Sequence, residues 1–187
     1  DSTFVGWSLL YEGLKTPNQR FSFAVAQNDI YMTGNALTDP IFKYKVYESS
    51  FAPAFLVTNS TYTAYIYAKY LLWVNGYMLA ANVRDARDLT RPTTYYDDRV
   101  YYSYLLQPSS FTIDRFENIS LGDAEYITGL TTKRGNLIGT KIVEIYKPSS
   151  IHALSWATKL EPLGEGGDQS ITRIAYGFGH IADSPPE

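Results

Sequence analysis

The chain contains no cysteine. A disulfide-stapled scaffold, a thiolate metal site and a cysteine nucleophile are therefore excluded. Histidine is nearly as scarce, with two in 187 residues, and neither stands at a metal-ligand spacing, so no metal is expected. Charge is sparse too: 19% of residues carry one, and the formal net charge is -3. That is too little for a polybasic surface tracking phosphates, so no nucleic-acid partner is expected. It is also too little for a disordered polyelectrolyte. No apolar run reaches the ~20 residues of a membrane helix without a charge or turn, so no membrane span is expected. The sequence has no Gly-x-Ser-x-Gly, no phosphate loop and no dinucleotide fingerprint, and no cofactor is expected.

What the chain has is aromatic surface. Aromatics make up 16% of the residues, and there are 17 tyrosines. A tyrosine joins a flat apolar ring to one polar tip, which suits ligand cavities, barrel interiors and protein interfaces. Strand-forming residues dominate the pattern. TAYIYAKYLLW and YMLAANV flank Asn75-Gly76, a pair that accepts positive φ at both centres of a tight hairpin turn. Further strands are predicted at 21–26, 42–48, 99–107, 110–117, 124–131, 139–147, 151–159 and 170–181. Breakers such as Lys147-Pro148-Ser149-Ser150 separate several of them. Residues 84–98 read as a polar connection. Short connections between strands predict an antiparallel meander in one domain spanning residues 1–187, either a barrel or a sandwich.

Two stretches add a resemblance. Phe4-Val5-Gly6-Trp7-Ser8-Leu9-Leu10 resembles the opening of lipocalin-like proteins, and Asn75-Gly76-Tyr77-Met78-Leu79-Ala80 is similar to a hairpin of lipocalin-like domains. The resemblance implies a single antiparallel β-barrel with one open mouth and an internal apolar cavity.

Candidate site residues follow from strand alternation. Tyr65 and Tyr67 form one ring row, Tyr102 and Tyr104 another, and Trp156, Tyr176, Phe178 and His180 sit on the late strands. Lining one cavity, these residues would bind an apolar or aromatic small molecule. His152 shares a strand face with Leu154 and Trp156 and is the candidate general base, with Asp114, in FTIDRF, in reserve. The bland alternatives are a satisfied strand-end histidine and an outward-facing carboxylate; Glu144, in KIVEIY, reads the same way. Asp97-Asp98 lacks the ligand spacing of a calcium loop and reads as turn chemistry. Any catalysis expected here is a cofactor-free isomerisation or cyclisation.

The sequons Asn59-Ser60-Thr61 and Asn118-Ile119-Ser120, with a first residue other than Met, suggest a secreted glycoprotein. A second reading follows from the same features. An exported, tyrosine-rich, cysteine-free β domain also fits a structural subunit of an extracellular filament, capsid or surface assembly, a homo-oligomer built through aromatic contacts and added strands.

Overall fold

Asn75 and Gly76 form the two-residue turn that their sequence predicts, both at positive φ (49° and 80°), with Val74 paired to Tyr77 across it. The computed structural model describes residues 20–34, 40–53, 55–59, 62–85, 95–112, 115–120, 122–134, 141–156 and 171–172. Among these residues there is no helix, and three sheets account for the strands.

The first sheet runs in chain order: β1 (Ser22–Ala26), β2 (Asp29–Thr33), β3 (Phe42–Lys45) and β4 (Ser50–Pro53). The central sheet contains β5 (Phe55–Asn59), β6 (Tyr62–Val74), β7 (Tyr77–Asp85), β8 (Tyr95–Tyr102), β9 (Ser110–Phe111) and β10 (Phe116–Asn118), in the order β10-β8-β7-β6-β5-β9. The third holds β11 (Gly129–Arg134), β12 (Lys141–Tyr146), β13 (Ile151–Trp156) and β14 (Ile171–Thr172), again in chain order. Neighbours are antiparallel except β5 and β9, which pair in parallel through Phe55↔Ser110 and Leu56↔Phe111. That pair departs from the expected meander. Among the described residues no sheet closes into a barrel.

The central sheet is covered on both faces, and β7 shows why. Met78, Ala80 and Val83 enter one core with Ala24, Ala26 and Tyr31 of the first sheet. Tyr77, Leu79 and Ala81 enter a second core with Val143, Ile145 and Leu154 of the third. A strand buried on both faces calls for a near-continuous apolar run rather than alternation, and YMLAANV supplies one at every position but the buried Asn82.

The first core also resolves a backbone problem. β5 reaches β6 only as far as Tyr65, so beyond that point one edge of β6 needs other partners. The first sheet provides them. The Ile41 amide donates to the Ile66 carbonyl (3.0 Å), the Thr33 hydroxyl to that of Ala68, and Ser22 Oγ accepts from the Leu71 amide (3.0 Å). Successive strands of the first sheet thus meet successive positions of β6, which runs across them.

Strand boundaries differ from the expected ones where side chains override propensity. Residues 95–98 belong to β8 rather than to a connection. The register between β7 and β8 shifts between Ala81 and Val83, and the carbonyls of Asp97 and Asp98 accept from the Ile127 and Ile119 amides, both at 2.8 Å. Asp97-Asp98 is therefore a strand irregularity, not a turn. Residues 124–128 are not a strand, because they cross between sheets. Asn82 Nδ2 donates to the Ile127 carbonyl (2.9 Å), and the Thr128 amide to that of Tyr146 (2.7 Å). The segment predicted at 110–117 is divided between β9 and β10. The Gln27-Asn28 hairpin, with φ of 51° and 69°, escapes a search for Asn-Gly pairs. Phe4–Leu10, on which half of the lipocalin resemblance rests, lies outside the described residues.

Candidate functional site

Lys147 heads a tight turn whose amide donates to the Ser150 carbonyl (2.9 Å); Pro148 presets the turn's first corner. The turn joins β12 to β13 and aims a set of polar side chains at residues 123–125. The Lys147 side chain is wholly buried, and its ammonium contacts both Asp123 carboxylate oxygens at 2.9 and 2.8 Å. Desolvation alone would raise the Asp123 pKa. The hydrogen bond from Lys147, the Glu125 amide and the charges of Lys147 and His152 outweigh it, and the carboxyl is held below its ordinary value. Glu125 in turn accepts from the Ser149 and Ser150 hydroxyls.

His152 belongs to this cluster. It is buried on the β13 face it shares with Leu154, and its Nε2 lies 2.9 Å from Ser150 Oγ. A serine hydroxyl at that distance from an imidazole is within nucleophile–base reach. In a hydrolytic triad, however, the carboxylate orients the imidazole from its far side. Here Glu125 touches the serine instead, and Asp123 is committed to Lys147. The array acts as a clasp fastening residues 123–125 to the third sheet. Nothing in the sequence marks it, since its partners stand some two dozen positions apart.

The tyrosine rows go to arginines. Arg115 stands over the rings of both Tyr102 and Tyr104, 5.0 and 4.5 Å from their centroids. Arg84 stands 5.0 Å from the Tyr67 centroid and pairs with Tyr67 across β6 and β7. Tyr102 pairs with Leu79, so the two groups are separated by roughly 15 Å along β7 at strand rise. A third stack is larger still: the guanidinium of buried Arg99 lies 3.6 Å from the Tyr96 ring centroid and 3.8 Å from that of Phe116, with Nε donating to Asn118 Oδ1 (2.8 Å). The asparagine of the second sequon is engaged there. These stacks give Tyr67, Tyr96, Tyr102, Tyr104 and Phe116 a role in cation–π packing.

Tyr65 pairs with Phe55 and Trp156 with Ile171 through their backbones, but their side chains are outside the description. Asp114, Tyr176, Phe178 and His180 lie outside the described residues. Glu144 lies on the β12 face opposite Val143 and Ile145, accepting from the Tyr146 hydroxyl (2.9 Å), which the bland reading anticipated. Among the described residues no three His, Asp or Glu side chains gather into a metal-sized group, and no helix is long and apolar enough to cross a membrane.

One feature is neither core nor clasp. On β1, Ala24 and Ala26 point into the first core while Phe23 and Val25 point away from it, 59% and 64% exposed. Phe21, just before the strand, is 42% exposed, and its ring packs 6.3 Å from that of Phe23. Across the hairpin, Phe23 pairs with Met32 and Val25 with Ile30, so the outer face is apolar across both strands. The sequence signal was available: FSFAVA lacks the polar alternate that a solvent-facing strand carries.

No family model and no curated protein matches the chain.

Proposed function

We propose that the chain is an assembly subunit, a β domain that joins other protein surfaces through the outer face of its first sheet. The observation that carries this reading is the contiguous row Phe21, Phe23 and Val25, left in solvent over the apolar pairs Met32 and Ile30. Scattered apolar side chains on a surface need no explanation, but a contiguous patch marks an interaction site. The scaffold behind the row is firm. Ser22, Thr33 and Ile41 bond the first sheet to β6, so the face is held rigid.

The cavity-binding reading, with a closed barrel and an apolar guest, draws less support. Tyr67, Tyr102 and Tyr104 give their ring faces to arginines in two separate places. Sedimentation velocity over a wide concentration range tests the assembly reading. The unaltered chain should gain mass with concentration, and Phe23→Lys should remain monomeric while keeping its fold. A chain that stays monomeric throughout would overturn it.

A further inference from the structure

We infer that β1 pairs antiparallel with β1 of a second copy, merging two first sheets into one continuous sheet; this rests on the assembly reading above. Three observations lead there.

The first is the state of the sheet edges. Among the described residues the three sheets present six edge strands: β1, β4, β9, β10, β11 and β14. β9 and β14 have two residues each and β10 has three. β4 ends in Pro53, and β11 carries Lys133 and Arg134. Short length, proline and charge are the usual devices that keep an edge from accepting another strand. β1, Ser-Phe-Ala-Val-Ala, has none of them.

The second is which groups face outward. β1 and β2 are joined by the two-residue turn Gln27-Asn28, so Ala26 and Asp29 close it as a hydrogen-bonded pair. Alternation along an antiparallel ladder then directs the amides and carbonyls of Ser22, Ala24 and Ala26 to β2, and those of Phe23 and Val25 to the open edge. Setting Ala24 against Ala24 of the second copy pairs all five residues of each strand. Phe23 then exchanges both hydrogen bonds with Val25 of the other copy, and the two outer rows merge.

The third is area and charge. Phe21, Phe23 and Val25 leave roughly 300 Å² of apolar side chain in solvent, judged from ordinary side-chain areas, against about 800 Å² per partner in a stable interface. The face alone is too small, and edge pairing does not cover it. Pairing sets Phe23 of one copy beside Val25 of the other on the shared face, while strand addition supplies the main-chain hydrogen bonds. A parallel pairing would stack Arg20 on Arg20. The antiparallel register sets Arg20 against Asn28 instead, avoiding the like-charge cost.

The absence of cysteine makes a crosslinking test unambiguous. Phe23→Cys and Val25→Cys proteins, both altered only on the exposed face, would be oxidised separately and as a mixture, with Tyr126→Cys as control. Directly opposed residues on paired strands lie within disulfide reach. The expected result is a mixed disulfide between Phe23→Cys and Val25→Cys chains, several-fold more abundant than either self-disulfide. Dominant self-disulfides would overturn the register, and crosslinking no better than the Tyr126→Cys control would overturn the pairing. In either case, continued association by sedimentation would leave the assembly reading standing. Loss of association in the unaltered chain would remove both.

Discussion

The Lys147 ammonium and the Asp123 carboxylate form a two-point contact in which the lysine side chain is wholly buried and the aspartate retains about a third of its exposure. Removing the carboxylate charge leaves a buried cation whose partner is lost. Asp123→Asn is expected to cost about 2–3 kcal/mol, below a fully buried pair because Asp123 keeps water contact. Urea unfolding with an unchanged m value would report it.

The same contact sets an acid limit. Asp123 titrates below its ordinary value in the folded protein. Its contribution is therefore present above the unfolded pKa, about 4, and is lost as pH falls through the folded one. Stability measured against pH should decline below about pH 4, and the decline should be shallower in Asp123→Asn than in the unaltered chain. Parallel curves would remove the pair from the account.

At the junction of the first and central sheets, Thr33 is buried and its hydroxyl serves the Ala68 carbonyl. Thr33→Val keeps the shape and leaves that carbonyl without its donor. A loss of about 1–3 kcal/mol is expected, read from the denaturation midpoint.

Asn82 tests the irregularity in β7. It is fully buried at φ 56°, donates to the Ile127 carbonyl and accepts from the Tyr95 hydroxyl. Asn82→Gly tolerates the backbone but loses both bonds, whereas Asn82→Ala loses the bonds and adds strain. Alanine should be the more destabilising by about 1 kcal/mol; equal losses would assign the residue's role to hydrogen bonding alone.

Gly76→Val combines two penalties. The glycine sits at φ 80°, and a Cβ there would come within 2.8 Å of Leu105 Cδ1. The leucine can swing aside because it is partly exposed, so backbone strain decides the cost, about 1–2 kcal/mol in thermal or chemical unfolding.

These positions also show what the sequence makes legible. The Asn75-Gly76 hairpin and the core strands around it were readable because local chemistry dictates them: turn residues at the centre, long and mostly apolar runs on either side. The Gln27-Asn28 turn was not, since neither residue announces positive φ as glycine does. Sheet order depended on long-range partners, such as the Asp97 carbonyl meeting the Ile127 amide, and no period in the sequence encodes those. The tyrosines were recognisable as important, yet their arginine partners come from other strands or distant positions. The strand pattern left barrel and sandwich open, and the closed barrel was what the lipocalin-like resemblance implied; strand number is the same for both.

The central claim is that the outer face of the first sheet is where the protein meets its neighbours. Side-chain footprinting by hydroxyl radicals, run at low and high protein concentration, examines that face directly. Oxidation of Phe21, Phe23 and Met32 should fall as concentration rises, while exposed Tyr126, in the segment that leads to the third sheet, should react unchanged. Equal reactivity of Phe21, Phe23 and Met32 at both concentrations, or protection centred on Tyr126 instead, would contradict the account.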